Sequence, residues 1–191
     1  NKGNIVFIDS GAPLFKTDSF MLGNKMPITK ELWYPALVNF FNIIEKITGN
    51  KVVIAAHPKH KYTKENSHYF GNRKIFHGDT LNLISETSLV IGQASTAFSY
   101  AVMFNKPILL LKSNELIDDD NILLAEANYL EELLGCNCIN IDKIDEKLLK
   151  VNPVNIKKYL SYKKRYLTSR NDNKTNCEII IEDLLNYENH L

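Results

Sequence analysis

The chain has 191 residues, 45% of them hydrophobic and 24% charged, with a formal net charge of +1 at pH 7. A chain of this size can bury one core without disulfides or a structural metal. The apolar content excludes a disordered chain, and the near-neutral charge gives no field that attracts nucleic acid. Three cysteines, an odd number, argue against a disulfide framework and for a reducing, cytoplasmic setting. Cys136 and Cys138 lack a nearby His pair, so buried thiols are expected rather than a zinc site.

Six short segments, most of them apolar, predict strands over 4–9, 51–56, 73–76, 89–92, 108–111 and 138–141, the first two of them buried. Continuous apolar runs are typical of parallel strands that are covered on both faces. The segments 30–48, 80–87, 95–104, 118–134, 145–150, 155–167 and 174–189 are expected to be helical. Alternating strands and helices predict an α/β fold, a Rossmann-like doubly wound parallel sheet of about six strands with C-terminal helices.

Capping residues mark the ends of the first helix. Thr29 is expected to cap its start and Gly49 to end it. Apolar side chains at helical spacing predict its core face: Leu37, Phe40, Phe41, Ile44 and Ile47. Residues 10–30 carry Gly and Pro with little periodicity and predict a long loop of the kind that is often functional.

Polar loops follow the second, third and fourth strands. In open parallel sheets, ligands bind beyond the carboxyl ends of the strands, at a switch point in strand order. We therefore take as candidate site residues His57, Pro58, Lys59, Gly78, Asp79, Thr80, Gly92, Gln93, Ser95 and Thr96. Their chemistry suits an anionic ligand that carries hydroxyl groups.

Two of these loops give the strongest signals. Ser95 and Thr96 place two hydroxyls at the expected start of a helix, where backbone N–H groups favour an anion; the alternative is an ordinary N-cap. Pro58 fixes the turn after His57, whose imidazole is suited to donate to or protonate a phosphate oxygen; the alternative is a histidine satisfied by backbone groups. The chain has no Walker A, GxGxxG or GxSxG motif, and its histidines lack the spacing of a metal pair.

The runs VVIAAHPKHKY, GDTLNLI and SLVIGQASTAFSYAVMFNKPILLL occur in this order within residues 4–112. Together they resemble the C-terminal, nucleotide-sugar-binding half of bacterial glycosyltransferases with the GT-B fold, and most of all the sialyl- and polysialyltransferase type. Those enzymes carry an HP motif and a Ser-Ser/Thr motif. The resemblance implies a nucleotide-sugar donor, such as CMP-sialate, and transfer to a surface glycan such as lipooligosaccharide or capsule.

The resemblance also implies roles for individual residues. His57 would contact the donor phosphate and assist its departure, Ser95 and Thr96 would bind the same phosphate, and residues 78–80 would lie near the ribose or base. No metal cofactor is implied. In that family the general base lies in an N-terminal acceptor domain. Nothing in this sequence clearly supplies such a base, and Asp9 is the fallback candidate. Because the chain starts at Asn1 without an initiator Met, we expect a piece of a longer protein that is inactive, or nearly so, alone.

On this interpretation, residues 1–150 form the donor-binding domain and residues 151–191 a helical extension. The basic, tyrosine-containing segment 157–170 is a solvated helix or, as the less favoured alternative, a contact for the inner face of the bacterial inner membrane. Three other functions stay open: a UDP-sugar 2-epimerase, a CDP-glycerol glycerophosphotransferase, and a non-catalytic nucleotide-binding or partner module.

Overall fold

A six-stranded parallel sheet forms the centre of the molecule. The computed structural model describes residues 3–14, 28–63, 67–118, 122–147, 149–168 and 174–188. The strands are β1 (Ile5–Ile8), β2 (Val52–Ala55), β3 (Ile75–Phe76), β4 (Leu89–Gly92), β5 (Ile108–Lys112) and β6 (Asn137–Asn140). Their order is β3-β2-β1-β4-β5-β6, and every neighbouring pair is parallel. The predicted α/β fold with a doubly wound sheet is confirmed.

Helices cover both faces of this sheet. Those in the described ranges are α1 (Lys30–Thr48), α2 (Thr80–Glu86), α3 (Phe98–Met103), α4 (Asn114–Asp118), α5 (Ile122–Leu134), α6 (Ile156–Tyr162) and α7 (Asn176–Glu188). A short 3-10 helix spans Ser67–Phe70, and a π-helical turn, Lys163–Leu167, continues α6. On one face α1 packs on Ile5, Phe7 and Ile54, while on the other α2, α3 and α6 pack on Val6, Ile8 and Val90.

Helix α1 supplies most of the core on its face of the sheet. Its ends lie where the sequence predicts, with Thr29 as N-cap and Gly49 as C-cap at φ 70°. The Thr29 side chain, however, does not cap the helix but donates to Glu115 Oε1 at 2.9 Å. Leu37, Phe40, Phe41 and Ile44 are buried, whereas Ile47 is 46% exposed. The prediction for Ile47 is wrong, and this residue lies in the last turn of α1.

A buried ion pair fixes α1 to the strands beside it. Glu45 Oε2 lies 3.0 Å from Arg73 Nη2, and both side chains are largely buried. Glu45 Oε1 also accepts from the Val52 N–H at 2.8 Å, at the start of β2. One carboxylate therefore aligns β2 and the chain entering β3 with the same helix.

The expected helix 118–134 is described as α5, Ile122–Leu134; residues 119–121 lie outside the described ranges, and α4, which ends at Asp118, was not predicted. The structure corrects two further predictions. The described residues of 145–150 form a turn rather than a helix, since Asp145 uses its carboxylate to bind the Lys147 N–H at 2.9 Å. The N-cap position of α2 is Asp79 rather than Thr80, and the Asp79 side chain makes no capping hydrogen bond. Most of the expected loop 10–30 lies outside the described residues.

Helix α6, in the C-terminal part of the chain, is attached to the sheet through Tyr159. This side chain is buried, and its hydroxyl donates to the Lys106 carbonyl at 2.8 Å. Whether the chain divides at residue 150 stays a prediction. Within the described ranges, no helix combines the length and the apolar character that crossing a bilayer requires.

The three thiols lie in different environments. Cys136 is buried, Cys138 is half-buried and Cys177 is exposed. The prediction of a buried thiol is therefore confirmed for Cys136, whereas Cys138 is only half-buried. Burial raises the pKa of Cys136 to about 12 and that of Cys138 to about 11. Both thiols are consequently protonated near neutral pH and weakly nucleophilic.

Candidate functional site

The switch point of the sheet lies between β1 and β4. From β1 the chain winds one way to β2 and β3, and then crosses to β4 and winds the other way to β5 and β6. The loops after β1 and β4 therefore separate and leave a crevice beyond the carboxyl ends of the strands. A cavity of about 590 Å³ occupies this position.

Six of the ten candidate site residues line this cavity: His57, Pro58, Gly78, Thr80, Ser95 and Thr96. They come from the loops after β2, β3 and β4, which the parallel sheet brings to one edge. Ile8, Ala55 and Leu81 add apolar walls, and Ser99 and Tyr100 add further hydroxyls. The cavity thus offers one imidazole and several hydroxyls beside apolar surface, which suits a ligand with both a polar group and a ring. That these residues bind a nucleotide stays a prediction.

The other four candidates do not line the cavity. Lys59 is exposed on the turn after β2. The Asp79 carboxylate accepts from Asn82 Nδ2 at 2.7 Å. Gly92 lies beneath the cavity, where an added Cβ would be 3.1 Å from the Ile8 carbonyl oxygen and 3.3 Å from the Phe98 ring.

Gln93 lies on the opposite face of the sheet. It follows Leu89 and Ile91, which pack on the α1 side, and strand alternation directs it the same way. Its Oε1 accepts from the Ser10 hydroxyl at 2.7 Å, and the side chain is buried. Its place in a polar loop suggested that Gln93 belongs to the site, but its side chain is bound to Ser10 and does not line the cavity.

The His57 loop is a tight turn. Pro58 follows His57, and the His60 N–H donates to the His57 carbonyl at 2.9 Å, which closes the turn. Nδ1 of His57 accepts from the Lys59 N–H at 3.3 Å. Because Nδ1 is an acceptor, the proton of a neutral ring is on Nε2. The ring is thereby assigned as an Nε2–H donor at the cavity wall.

Ser95 and Thr96 lie before the helix rather than at its first residue. Helix α3 begins at Phe98 and not at residue 94 or 95, because the chain first makes tighter i to i+3 bonds, from Phe98 N–H to Ser95 O and from Ser99 N–H to Thr96 O. Ser95 Oγ accepts from the Ala97 N–H at 3.2 Å. A hydroxyl that accepts still has its own proton to donate. Anion binding here would therefore depend on the hydroxyls more than on the dipole of a six-residue helix.

Asp9 adds a carboxylate to the wall of the site, and Tyr62 binds this carboxylate. Asp9, at the end of β1, lines the cavity and is only 4% exposed. Its Oδ2 accepts from the Tyr62 hydroxyl at 2.7 Å. Burial, and then the negative charge of Asp9, raise the pKa of Tyr62 far above its usual value, so the phenol remains a hydrogen-bond donor. Tyr62 was not among the sequence candidates, because nothing in the loop signals its pairing with a residue 53 positions away.

Metal ligands are not grouped in this part of the molecule. Among the residues that the structure describes, no cluster of three or more His, Cys, Asp or Glu side chains is arranged to hold a metal ion. Metal independence itself stays a prediction.

The strand order and the helices on both faces define a doubly wound, Rossmann-like α/β domain. No protein-family model and no curated protein sequence matches the chain. Among solved structures, the chain is similar to the glycotransferase of kitacinnamycin, with a TM-score of 0.42 and 14% sequence identity. The similarity covers 76% of this chain and 32% of that one. The chain therefore spans about a third of that protein's length.

Proposed function

We propose that the cavity binds the nucleotide of a nucleotide-sugar and that the chain is the donor-binding domain of a glycosyltransferase. One observation carries this proposal: His57 and the Ser95–Thr96 hydroxyls, which lie in different loops, line one cavity at the switch point. Ligands of doubly wound folds bind at this position. The resemblance of the HP and Ser-Thr motifs to those of GT-B enzymes supports the same assignment.

The residues suggest how the donor would be held. The Ser95 and Thr96 hydroxyls and the His57 Nε2–H would donate to phosphate oxygens, and charge-assisted bonds of this kind are the stronger ones. Thr80 and the space beside Gly78 would accommodate the ribose or base; Gly78 has φ 73°, and no atom lies within 4 Å of an added Cβ. These groups would stabilise the negative charge of the donor phosphate without a divalent metal.

In the reaction we propose, an acceptor hydroxyl attacks the anomeric carbon and the bond from that carbon to the donor phosphate breaks. His57 would stabilise the departing phosphate by a hydrogen bond or by giving it a proton. Asp9 is a poor general base, because three donors already bind its carboxylate. The general base and the acceptor site are therefore assigned to a further domain. Transfer of sialic acid from CMP-sialate to a surface glycan is the specific form that the motif resemblance favours.

Calorimetric titration of the chain with CMP, CDP and UDP tests this function. Selective CMP binding is expected if the donor is CMP-sialate. Preference for UDP would redirect the search to other sugars or to an epimerase, and preference for CDP to glycerol phosphate. If none of the three binds, either to this chain or to a longer version of the protein, the donor-binding proposal is wrong and a partner module becomes the better account.

We also propose that the basic segment contacts an anionic membrane. Residues 157–165 contain five basic residues and no acidic one. Ile156 and Leu160 are 50% and 59% exposed among these cations, and Lys163 Nζ reaches the Met103 carbonyl at the end of α3. Exposed aliphatic groups flanked by Lys and Arg are typical of surfaces that lie on anionic lipid.

Vesicle sedimentation checks this contact. The chain is expected to sediment with vesicles of phosphatidylglycerol and phosphatidylcholine, but not with phosphatidylcholine alone. Lys157→Glu/Lys164→Glu should reduce binding about tenfold or more, since each basic group near an anionic surface contributes about 1 kcal/mol. Lys143→Glu/Lys147→Glu makes the same change in net charge elsewhere and should bind like the original chain. An equal loss of vesicle binding in both variants would contradict the proposal that the basic segment is the membrane-binding surface.

A further inference from the structure

Three hydrogen-bond donors converge on the carboxylate of Asp9, one from the turn that follows it and two from the loop after β2. We propose that Asp9 and Tyr62 are positioning residues, which clamp the loop after β2 and so hold the His57 imidazole at the cavity wall. This inference rests on the proposed function only for the identity of the ligand that His57 would contact. The clamp itself is a property of the fold that is testable without any ligand.

The contacts connect the ends of two neighbouring strands. Asp9 Oδ1 accepts from the Gly11 N–H at 2.9 Å, which holds the turn after β1. Oδ2 accepts from the His57 N–H at 3.2 Å and from the Tyr62 hydroxyl at 2.7 Å. The loop is therefore attached to Asp9 at its first residue and again five positions later. Two attachments to one buried carboxylate restrict the loop more than either would alone.

Packing around Tyr62 fixes the direction of its hydroxyl. The ring lies edge-on to Phe70, with centroids 5.1 Å apart, and its centroid is 4.3 Å from that of His60. Phe70 is fully buried against the α1 face of the core. The phenol is thus anchored on the core and donates from there toward the end of β1. The core contact sets the position of a loop that has few apolar anchors of its own.

The consequence for His57 concerns the orientation of its ring. The backbone N–H is fixed on Asp9, and Nδ1 is fixed on the Lys59 N–H within the same turn. With both ends held, the ring presents Nε2–H in one direction. Without the Tyr62 bond, the second attachment of the loop is lost, and this orientation is no longer enforced. A pre-oriented donor binds more tightly than one that must first be ordered.

The test compares two tyrosine variants in the full chain. Tyr62→Phe removes the clamp hydroxyl. Tyr159→Phe is the matched control, because it also removes a buried hydroxyl that donates at 2.8 Å, but to the Lys106 carbonyl on the other face of the sheet. The ¹⁵N resonances of the His57 ring, assigned with His57→Gln, report its tautomer, and amide exchange reports the His57 N–H.

In Tyr62→Phe we expect the His57 amide to exchange about tenfold faster or more, and the ring to populate both tautomers. Tyr159→Phe should leave both signals in place. Asp9→Asn, which offers a carboxamide to the same donors, should reproduce the Tyr62→Phe pattern more strongly. If the two tyrosine variants give the same His57 signals as the original chain, the clamp is overturned.

Titration of the same variants with CMP, CDP and UDP separates the clamp from the proposed function. If the original chain binds one of them, Tyr62→Phe should lower that affinity about tenfold, whereas Tyr159→Phe should not. If none binds to the original chain, the proposed function fails, and the His57 signals still decide the clamp. Bound nucleotide with unchanged affinity in Tyr62→Phe would overturn the positioning role and leave the nucleotide site standing.

Discussion

Replacing both Ser95 and Thr96 with alanine is expected to weaken nucleotide binding about 100-fold or more, because each hydrogen bond to a charged group contributes about 1.5–3 kcal/mol. The fold should survive the change. Thr96 is exposed, Ser95 is only partly buried, and the hydrogen bond that would be lost within the protein is that of Ser95 Oγ with the Ala97 N–H. Calorimetric titration with the nucleotide that binds best measures the effect.

A matched pair of hydroxyls serves as the control for this variant. Thr48→Ala/Ser85→Ala removes the same side-chain atoms from the end of α1 and from α2, where the hydroxyls bind only backbone groups nearby. These residues do not line the cavity. Equal affinity of the Ser95/Thr96 variant and the original chain would show that the phosphate is held elsewhere. An equal loss of nucleotide affinity in both double variants would indicate a general effect on folding.

The sheet could be predicted from the sequence because its four central strands, β2, β1, β4 and β5, are almost entirely buried. Runs such as 89–92 and 108–111 contain only apolar residues or Gly. All six strands occur, with ends displaced by at most two residues from the prediction. The polar loops could be predicted as neighbours for the same reason, since parallel strands carry their following loops to one edge.

Helix starts were harder to predict because local hydrogen bonds compete there with helical ones. Ser95 engages the Ala97 N–H in a turn before α3, and Asp145 engages the Lys147 N–H where a helix was expected. Ser and Asp side chains favour such local contacts. The side-chain hydrogen bonds that make Ser and Asp candidate helix caps can therefore also delay the start of a helix or prevent it.

The contacts that arrange the site could not be predicted from local patterns. Asp9 and Tyr62 are joined only because β1 and β2 are neighbours in the sheet and because Tyr62 packs on Phe70. Gln93 does not line the cavity, because its side chain is buried and bound to the Ser10 hydroxyl after β1. Sequence reasoning found the loops of the site, whereas the packing of the core decides which side chains face the cavity.

That dependence on packing leads to the second large effect, which concerns stability. Phe41→Ala is expected to lower the free energy of unfolding by about 3–5 kcal/mol, because it leaves a cavity in the core. Phe41 is fully buried, its ring is edge-on to Phe7 at 5.1 Å, and the Arg73 guanidinium lies 5.0 Å from its centroid. The free energy of unfolding of a domain is typically about 5–15 kcal/mol, so this loss is a large share of it. Denaturant unfolding measures it.

Phe104→Ala is the control, since Phe104 is 40% exposed and its loss should cost about 1 kcal/mol. A similar cost for both variants would contradict the assignment of Phe41 to the centre of the core. Below its unfolding transition, Phe41→Ala should still bind nucleotide with the original affinity, because Phe41 is not part of the cavity wall. If affinity falls with stability, then the position of β1, which carries both Phe7 and Asp9, depends on Phe41, and the core sets the geometry of the site as well as its stability.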